Sequence, residues 1–259
     1  MILQNHPEGK LAISQPCHAW LSEQLARQWN QELLGKIEPF TQLCLAANQH
    51  DSGWTDWEKS PKLNKTTQFP KQFFELNSKN HLKIWENSVN NVAMQNRYAS
   101  LIVSLHLTHL CKRYELQKEN SELNKTLIKT FLETQRHYQI TVMQRLLKDE
   151  HYKPFIHPEK LNQNSLLLGI WDLLSLKICM GQTKPFTLDL HKTSTKVEEI
   201  VFSPVEENPN HFKVTPYPFI QSPLNLNIEA RIIEPCSQQK DLISQLNAAP
   251  LITKVIRFS

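Results

Sequence analysis

Between Leu166 and Leu176 the chain reads LLLGIWDLLSL, and Asp172 stands in the middle of this run with almost no polar company. From Asn164 to Cys179 the segment is apolar around nearly its whole circumference, which predicts a central buried helix. An ionised carboxylate in such a place costs several kcal/mol unless something compensates it. A metal ion, a cationic partner or a raised pKa would do so. The alternative is that Asp172 faces a solvent channel or bonds a helix N-terminus. On any of these readings the fold has to bring polar chemistry to the middle of its core.

Two other stretches offer it. Pro16 is placed to open a helix, where a first-turn proline is tolerated, and His18, Leu21, Leu25 and Trp29 share one stripe of that helix. A lone histidine on an apolar stripe is otherwise a satisfied core residue. The second stretch is Leu43 to Trp57, LCLAANQHDSGWTDW. Helical spacing from about Pro39 carries Leu43, Ala46, Ala47 and His50 onto one face, and Gly53 is a natural terminator. Just before that end His50 and Asp51 stand side by side. Helical neighbours are about 100° apart, so one ion receives both only from over the edge between them. The last carbonyls of a helix favour a cation there. An imidazole with a carboxylate suits zinc, iron or manganese; the bland reading is a chance dipeptide. His18, His50-Asp51 and Asp172 fall on three predicted helices, each pointing inward, and side chains from facing helices can surround one ion.

The rest of the chain supplies an enclosure. Its 259 residues, 40% hydrophobic, can bury a sizeable core. Further helices are predicted at about 80–95, 97–117 and 122–150. Residues 52–80, with Pro61 and Pro70, have little periodicity and are predicted as a long functional or packed loop. Character changes after Gly181: eight of the fifteen prolines and no tryptophan lie beyond it. Alternation there at Phe186–Leu190, Leu224–Ile232 and Leu251–Arg257 predicts antiparallel strands, and residues 1–14 are predicted as a hairpin that can join them. The expected architecture is mainly α: a helical bundle with an N-terminal hairpin over 1–181, and a β-rich extension over 182–259 packed on it.

A net charge of +4 with scattered basic residues does not point to nucleic acid but permits a small anionic substrate. No apolar run reaches the ~18 residues of a membrane span. The Met-Ile-Leu-Gln start turns polar too soon for a signal peptide, and five widely spaced cysteines without a CxxC pair read as reduced thiols, so a cytoplasmic protein is expected. The glycine-rich phosphate loops are absent. A homodimer is compatible with all of this.

The pattern of a lone His, then His-Asp, then a late Asp on a buried helix resembles the HD-domain superfamily of metal-dependent phosphohydrolases, and more closely an uncharacterised bacterial family of that fold with an HDxGW motif. The matching stretches are QPCHAWLSEQLARQW (Gln15–Trp29), AANQHDSGWTDW (Ala46–Trp57), YASLIVSLH (Tyr98–His106), WDLLSL (Trp171–Leu176) and TPYPF (Thr215–Phe219). The broader likeness covers roughly 15–180, and the closer one nearly the whole chain. The resemblance implies an HD-like bundle in which His18, His50, Asp51 and Asp172 hold a first divalent transition metal (Mn, Fe, Zn or Co), with Asp51 also orienting the attacking water. It further implies that His81 and His106 complete a second site, with His109 as a substitute. His81, in the polar stretch SKNHLK, otherwise reads as a surface histidine. The chain departs from many superfamily members in having Trp54 where a lysine follows the HDxG core. Tryptophan offers a stacking face and one N–H donor, so Trp54 with Arg97 is the candidate substrate contact; otherwise Trp54 reads as structural and Arg97 as a solvated surface group.

Three functions are compatible with this. One is a metal-dependent hydrolase of a phosphate ester or nucleotide. The second is an oxygenase holding two irons, and the third a non-catalytic metal-containing binding or regulatory module.

Overall fold

A computed structural model describes residues 1–115, 122–191, 193, 196–206 and 208–259. The chain opens with strands β1 (Ile2–His6) and β2 (Gly9–Ile13), then helices α1 (Gln15–Gln28), α2 (Gln31–Leu34), α3 (Phe40–Gln49) and α4 (Trp54–Lys59). A two-stranded hairpin, β3 (Leu63–Asn64) and β4 (Phe69–Pro70), leads to the long helices α5 (Ser78–Ala93), α6 (Arg97–Glu115), α7 (Glu122–Leu146) and α8 (Pro158–Cys179). The remainder is β5 (Phe186–Asp189), β6 (Glu199–Val205), β7 (Asn208–Thr215), β8 (Leu224–Ile233), α9 (Gln239–Ala248) and β9 (Leu251–Phe258). Residues 116–117, the end of the helix expected over 97–117, lie outside the described residues.

The expectation of a mainly α bundle with a modest β extension is overturned. Helices take about 53% of the described residues, and beside them stands a curled seven-stranded sheet, with the β3–β4 hairpin as a second sheet. The strand order is β1-β2-β8-β9-β7-β6-β5, so the N-terminal hairpin and the C-terminal strands form one surface. That sheet is not purely antiparallel either: β7 and β9 run parallel. Two strands escape notice in the sequence. In β6 and β7 the alternation is broken by Pro204 and Pro209, and a register shift falls at Pro204/Val205. Proline lacks the ladder donor and is tolerated at such irregularities. The segment expected to be a loop, 52–80, contains α4, the hairpin and a short turn of helix at Phe73–Glu75, all too brief to show a period.

One hydrophobic core runs from Ile2 and Ile13 through the helices to Phe202 and Phe258. A file of aromatic rings crosses it: Phe202 against Phe258, Phe258 against Phe219, Phe219 against Trp29, and Trp29 against Trp171 at 6.2 Å. This contact fixes α8 at the residue before Asp172. The far end of α8 is held by Gln4 of β1, whose amide donates to the carbonyls of Ile178 and Cys179 at 2.9 and 2.6 Å. These are among the carbonyls a helix leaves without an internal partner. On the other side, α1 lies along the part of β8 that β2 does not reach. There the Gln24 side chain pairs with both backbone groups of Asn227, covering an open strand edge.

Gly53 plays a different part from the one expected. Helix α3 stops at Gln49, with His50 as its C-cap, and Gly53 is in ordinary right-handed conformation (φ −66°) where α4 begins. It is glycine because α5 passes against it: a Cβ would lie 2.1 Å from the Ile84 carbonyl oxygen and 2.7 Å from the Ser88 nitrogen. The Gly53 N–H donates to the Ser88 hydroxyl at 3.0 Å. The doublet is thus clamped on α5 by a close backbone approach. Gly53→Ala is expected to destabilise the protein by at least ~1–3 kcal/mol, read as a lower urea midpoint. An unchanged midpoint would contradict this packing.

Candidate metal centre

His18 is held one turn into α1. Ser14 caps that helix by accepting the Cys17 N–H, and Pro16 sits in its first turn. His50 closes α3, Asp51 follows in the turn, and Asp172 projects from the middle of α8. The three helices pack on one another, and the four side chains meet. His18 Nε2 is 3.4 Å from Asp51 Oδ2 and 3.2 Å from Asp172 Oδ1. His50 Nε2 is 3.8 Å from Asp51 Oδ2 and 3.4 Å from Asp172 Oδ1. The two imidazole Nε2 atoms are 3.3 Å apart. Ligands bonded at about 2.1 Å to one ion, at angles between about 90 and 130°, lie about 3.0–3.8 Å apart. His18, His50 and Asp51 form a buried group that could hold a metal ion, with ligand atoms all within 4.8 Å of one another. Asp172 approaches the same two nitrogens from its own helix.

The orientation of His50 is set by its helix end. Its Nδ1 lies 2.8 Å from the Ala47 carbonyl oxygen, a pure acceptor, so Nδ1 carries the hydrogen and the Nε2 lone pair faces the cluster. Two carboxylate oxygens face the same space, so two negative charges are buried together there and positive charge is favoured. In the ion-free protein a proton serves. Burial acts to lower the pKa of His18, but its contacts with Asp172 and Asp51 outweigh this and raise it to about 9. His50 is raised on the same balance, with Asp51 its main attraction. Burial acts to raise the carboxylates, yet the imidazoles hold Asp51 below the usual range and Asp172 well below it.

His106 of α6 joins from the far side, with Nε2 3.2 Å from Asp172 Oδ2, though not aligned for a hydrogen bond. Asp172 therefore faces two histidines with one oxygen and a third with the other. The His106 ring lies over Gly169 of α8, where an added Cβ would meet it at an ordinary contact distance of 3.6 Å. His109, one turn on, is exposed and pairs with Ser165 at 3.2 Å. His81 is buried, not a surface residue, and its ring packs against Trp54 and Trp85 at 5.2 and 4.6 Å. Trp54 is itself 1% exposed and directly follows the Gly53 clamp. Arg97 points elsewhere. It sits nine residues before His106 on α6, about 13 Å along the axis, and pairs with Asp149 at 2.7 Å over the Tyr152 ring. The Ala47 carbonyl was not singled out from the sequence. The available signal is that the last carbonyls of a helix lack internal partners and lie within reach of a C-capping histidine.

Fold and cluster together define a helix-and-sheet protein built around a buried histidine–aspartate group that could hold a metal ion. The chain belongs to the family described as "Protein of unknown function (DUF3891)", which matches residues 1–235. No curated protein and no solved structure matches it.

The protonation pattern sets a pH dependence for the ion-free protein. A histidine raised from 6.5 to about 9 contributes stability that is complete below pH 6.5 and lost as pH rises through about 9. The depressed carboxylates contribute stability present above their unfolded values and lost on acidification. In chelator, the melting temperature is therefore expected to fall between pH 6.5 and 9. A flat or rising profile would contradict the assignment.

Proposed function

We propose that His18, His50, Asp51 and Asp172 hold a divalent transition metal ion, and that the protein is a metal-dependent hydrolase of a small phosphate ester or nucleotide. The observation that carries this is the burial of two imidazoles and two carboxylates from α1, α8 and the turn that ends α3, with edge lengths of 3.2–3.8 Å between their facing atoms. Two neutral imidazoles and two carboxylates suit zinc, manganese, iron or cobalt. The phosphohydrolase class rests on the likeness of the spaced His, His-Asp and Asp set to the HD-domain superfamily. The bound ion would lower the pKa of a water and polarise the bond to be broken.

The chain's own residues would do the rest. Asp51 would orient the attacking water, the role that the resemblance gives it. The imidazoles, held by their outer hydrogen bonds, keep the donor atoms fixed. Trp54, whose buried indole N–H has no hydrogen-bond partner among the described residues, is enclosed against His81, so it would act by shaping the wall behind the doublet and not by stacking on the substrate. Arg97, committed to Asp149, is left out of this reading.

A second reading, a pair of irons activating dioxygen, draws on one observation. Asp172 directs its second oxygen at His106, which gives the carboxylate a bridging position.

The test is turnover of phosphomonoesters, diesters and nucleotides by protein loaded with Mn, Fe, Co or Zn. Hydrolysis is expected with at least one ion, and Asp51→Ala or Asp172→Ala is expected to lower it by about 100-fold or more. No turnover with any ion on a wide panel would overturn the hydrolase reading. A coloured iron protein that consumes dioxygen would favour the second.

A further inference from the structure

Two hydroxyls stand behind His18, on the side of its ring away from the carboxylates. Ser22 lies one turn beyond His18 on α1, and Ser175 lies one turn beyond Asp172 on α8; both are 0% exposed. Ser175 Oγ is 2.7 Å from His18 Nδ1, 2.7 Å from Ser22 Oγ and 2.9 Å from the backbone carbonyl oxygen of Asp172. Ser22 Oγ has two further neighbours, the His18 and Trp171 carbonyls, at 3.3 and 3.4 Å.

We infer that Ser175, backed by Ser22, is the positioning residue that fixes His18 as the Nδ1–H tautomer and aims its Nε2 lone pair into the cluster. The inference rests on the metal-site reading. It follows from hydrogen-bond accounting. A serine hydroxyl has one hydrogen and two lone pairs. The Asp172 carbonyl only accepts, so the Ser175 hydrogen goes to it. The two Ser175 lone pairs then take the Ser22 O–H, for which it is the nearest acceptor, and the His18 Nδ1–H. Every group is matched in this arrangement. If the hydrogen sat on Nε2 instead, it would stand where the ion belongs, and Nδ1 would compete with the Asp172 carbonyl for the one Ser175 hydrogen.

The same hydroxyl does a second thing. It grips the backbone of α8 at the residue that carries the carboxylate. One atom thereby ties the ring of one ligand to the main chain of another, across helices 157 residues apart in the chain. The two serines also let α1 and α8 approach closely at this level. Sequence spacing holds the signal: a serine four residues after His18 and one three residues after Asp172 lie on the same helix faces as the ligands.

The experiment measures zinc affinity by chelator competition for wild type, Ser175→Ala, Ser22→Ala and Ser100→Ala, with melting of each ion-free protein alongside. Ser100 is an equally buried hydroxyl that bonds Tyr138 instead. Ser175→Ala is expected to bind zinc about 10–100-fold more weakly, Ser22→Ala within about threefold of wild type, and Ser100→Ala unchanged. Zinc-loaded wild type is expected to show a slowly exchanging His18 Nδ1 proton by NMR, a readout that needs no variant to fold. Ser175→Ala binding zinc as wild type does, or a His18 ligated through Nδ1 with no such proton, would overturn the inference. Wild type that takes no metal at all would instead overturn the metal reading beneath it.

Discussion

A buried meeting of two imidazoles and two carboxylates is the constraint on which this molecule turns. The Nε2 lone pair of His50, the facing nitrogen of His18 and oxygens of Asp51 and Asp172 lie within 3.2–3.8 Å of one another, pair by pair across the imidazoles. Left without positive charge, such a group in a buried place would be costly by several kcal/mol. A proton on His18 makes it tolerable in the ion-free chain; a metal ion would do so with more ligands engaged. The arrangement is better suited to holding a cation than to stabilising the fold, because apolar side chains in the same volume would need no compensation.

Much of the surrounding architecture serves to keep those atoms in register. α8 is pinned on both sides of Asp172, by the Trp29–Trp171 contact that continues the aromatic file from the sheet and by Gln4 at its C-terminal carbonyls. The doublet is pinned by Gly53 on α5. α1 is pinned by Gln24 along the edge of β8. The sheet thus acts on the site without contributing a side chain to it. Residues far apart in the chain can meet here because a strand hairpin at the start and strands at the end belong to one surface.

What was legible in the sequence was the part governed by helical periodicity. The Asp172 run and the stripe of His18 follow from a 3.6-residue repeat, and the structure brings the two side chains within 3.2 Å of each other. Less legible was whatever depends on contact between elements. Nothing in the residues before Gly53 shows that α5 will press on it, so a glycine required by a neighbouring backbone reads as a helix terminator. The polar stretch around His81 suggests a surface, yet His81 is enclosed by Trp54 and Trp85. Arg97 reads as a free cation until Asp149, 52 residues on, claims it. The extent of the sheet was hidden because β6 and β7 interrupt their alternation with prolines, whereas the hairpin expected to join the C-terminal strands does so through β8.

The most direct test of the central claim is elemental analysis of gently purified protein, combined with X-ray absorption at the edge of whichever metal is found. The account expects a first-row transition metal at one or more equivalents per chain, with two imidazole nitrogens and carboxylate oxygens at about 2.0–2.2 Å, lost when His18 or Asp172 is replaced by alanine. Protein that is metal-free as purified, takes up no ion from an excess of zinc, manganese, iron or cobalt, and melts identically with and without them would contradict it.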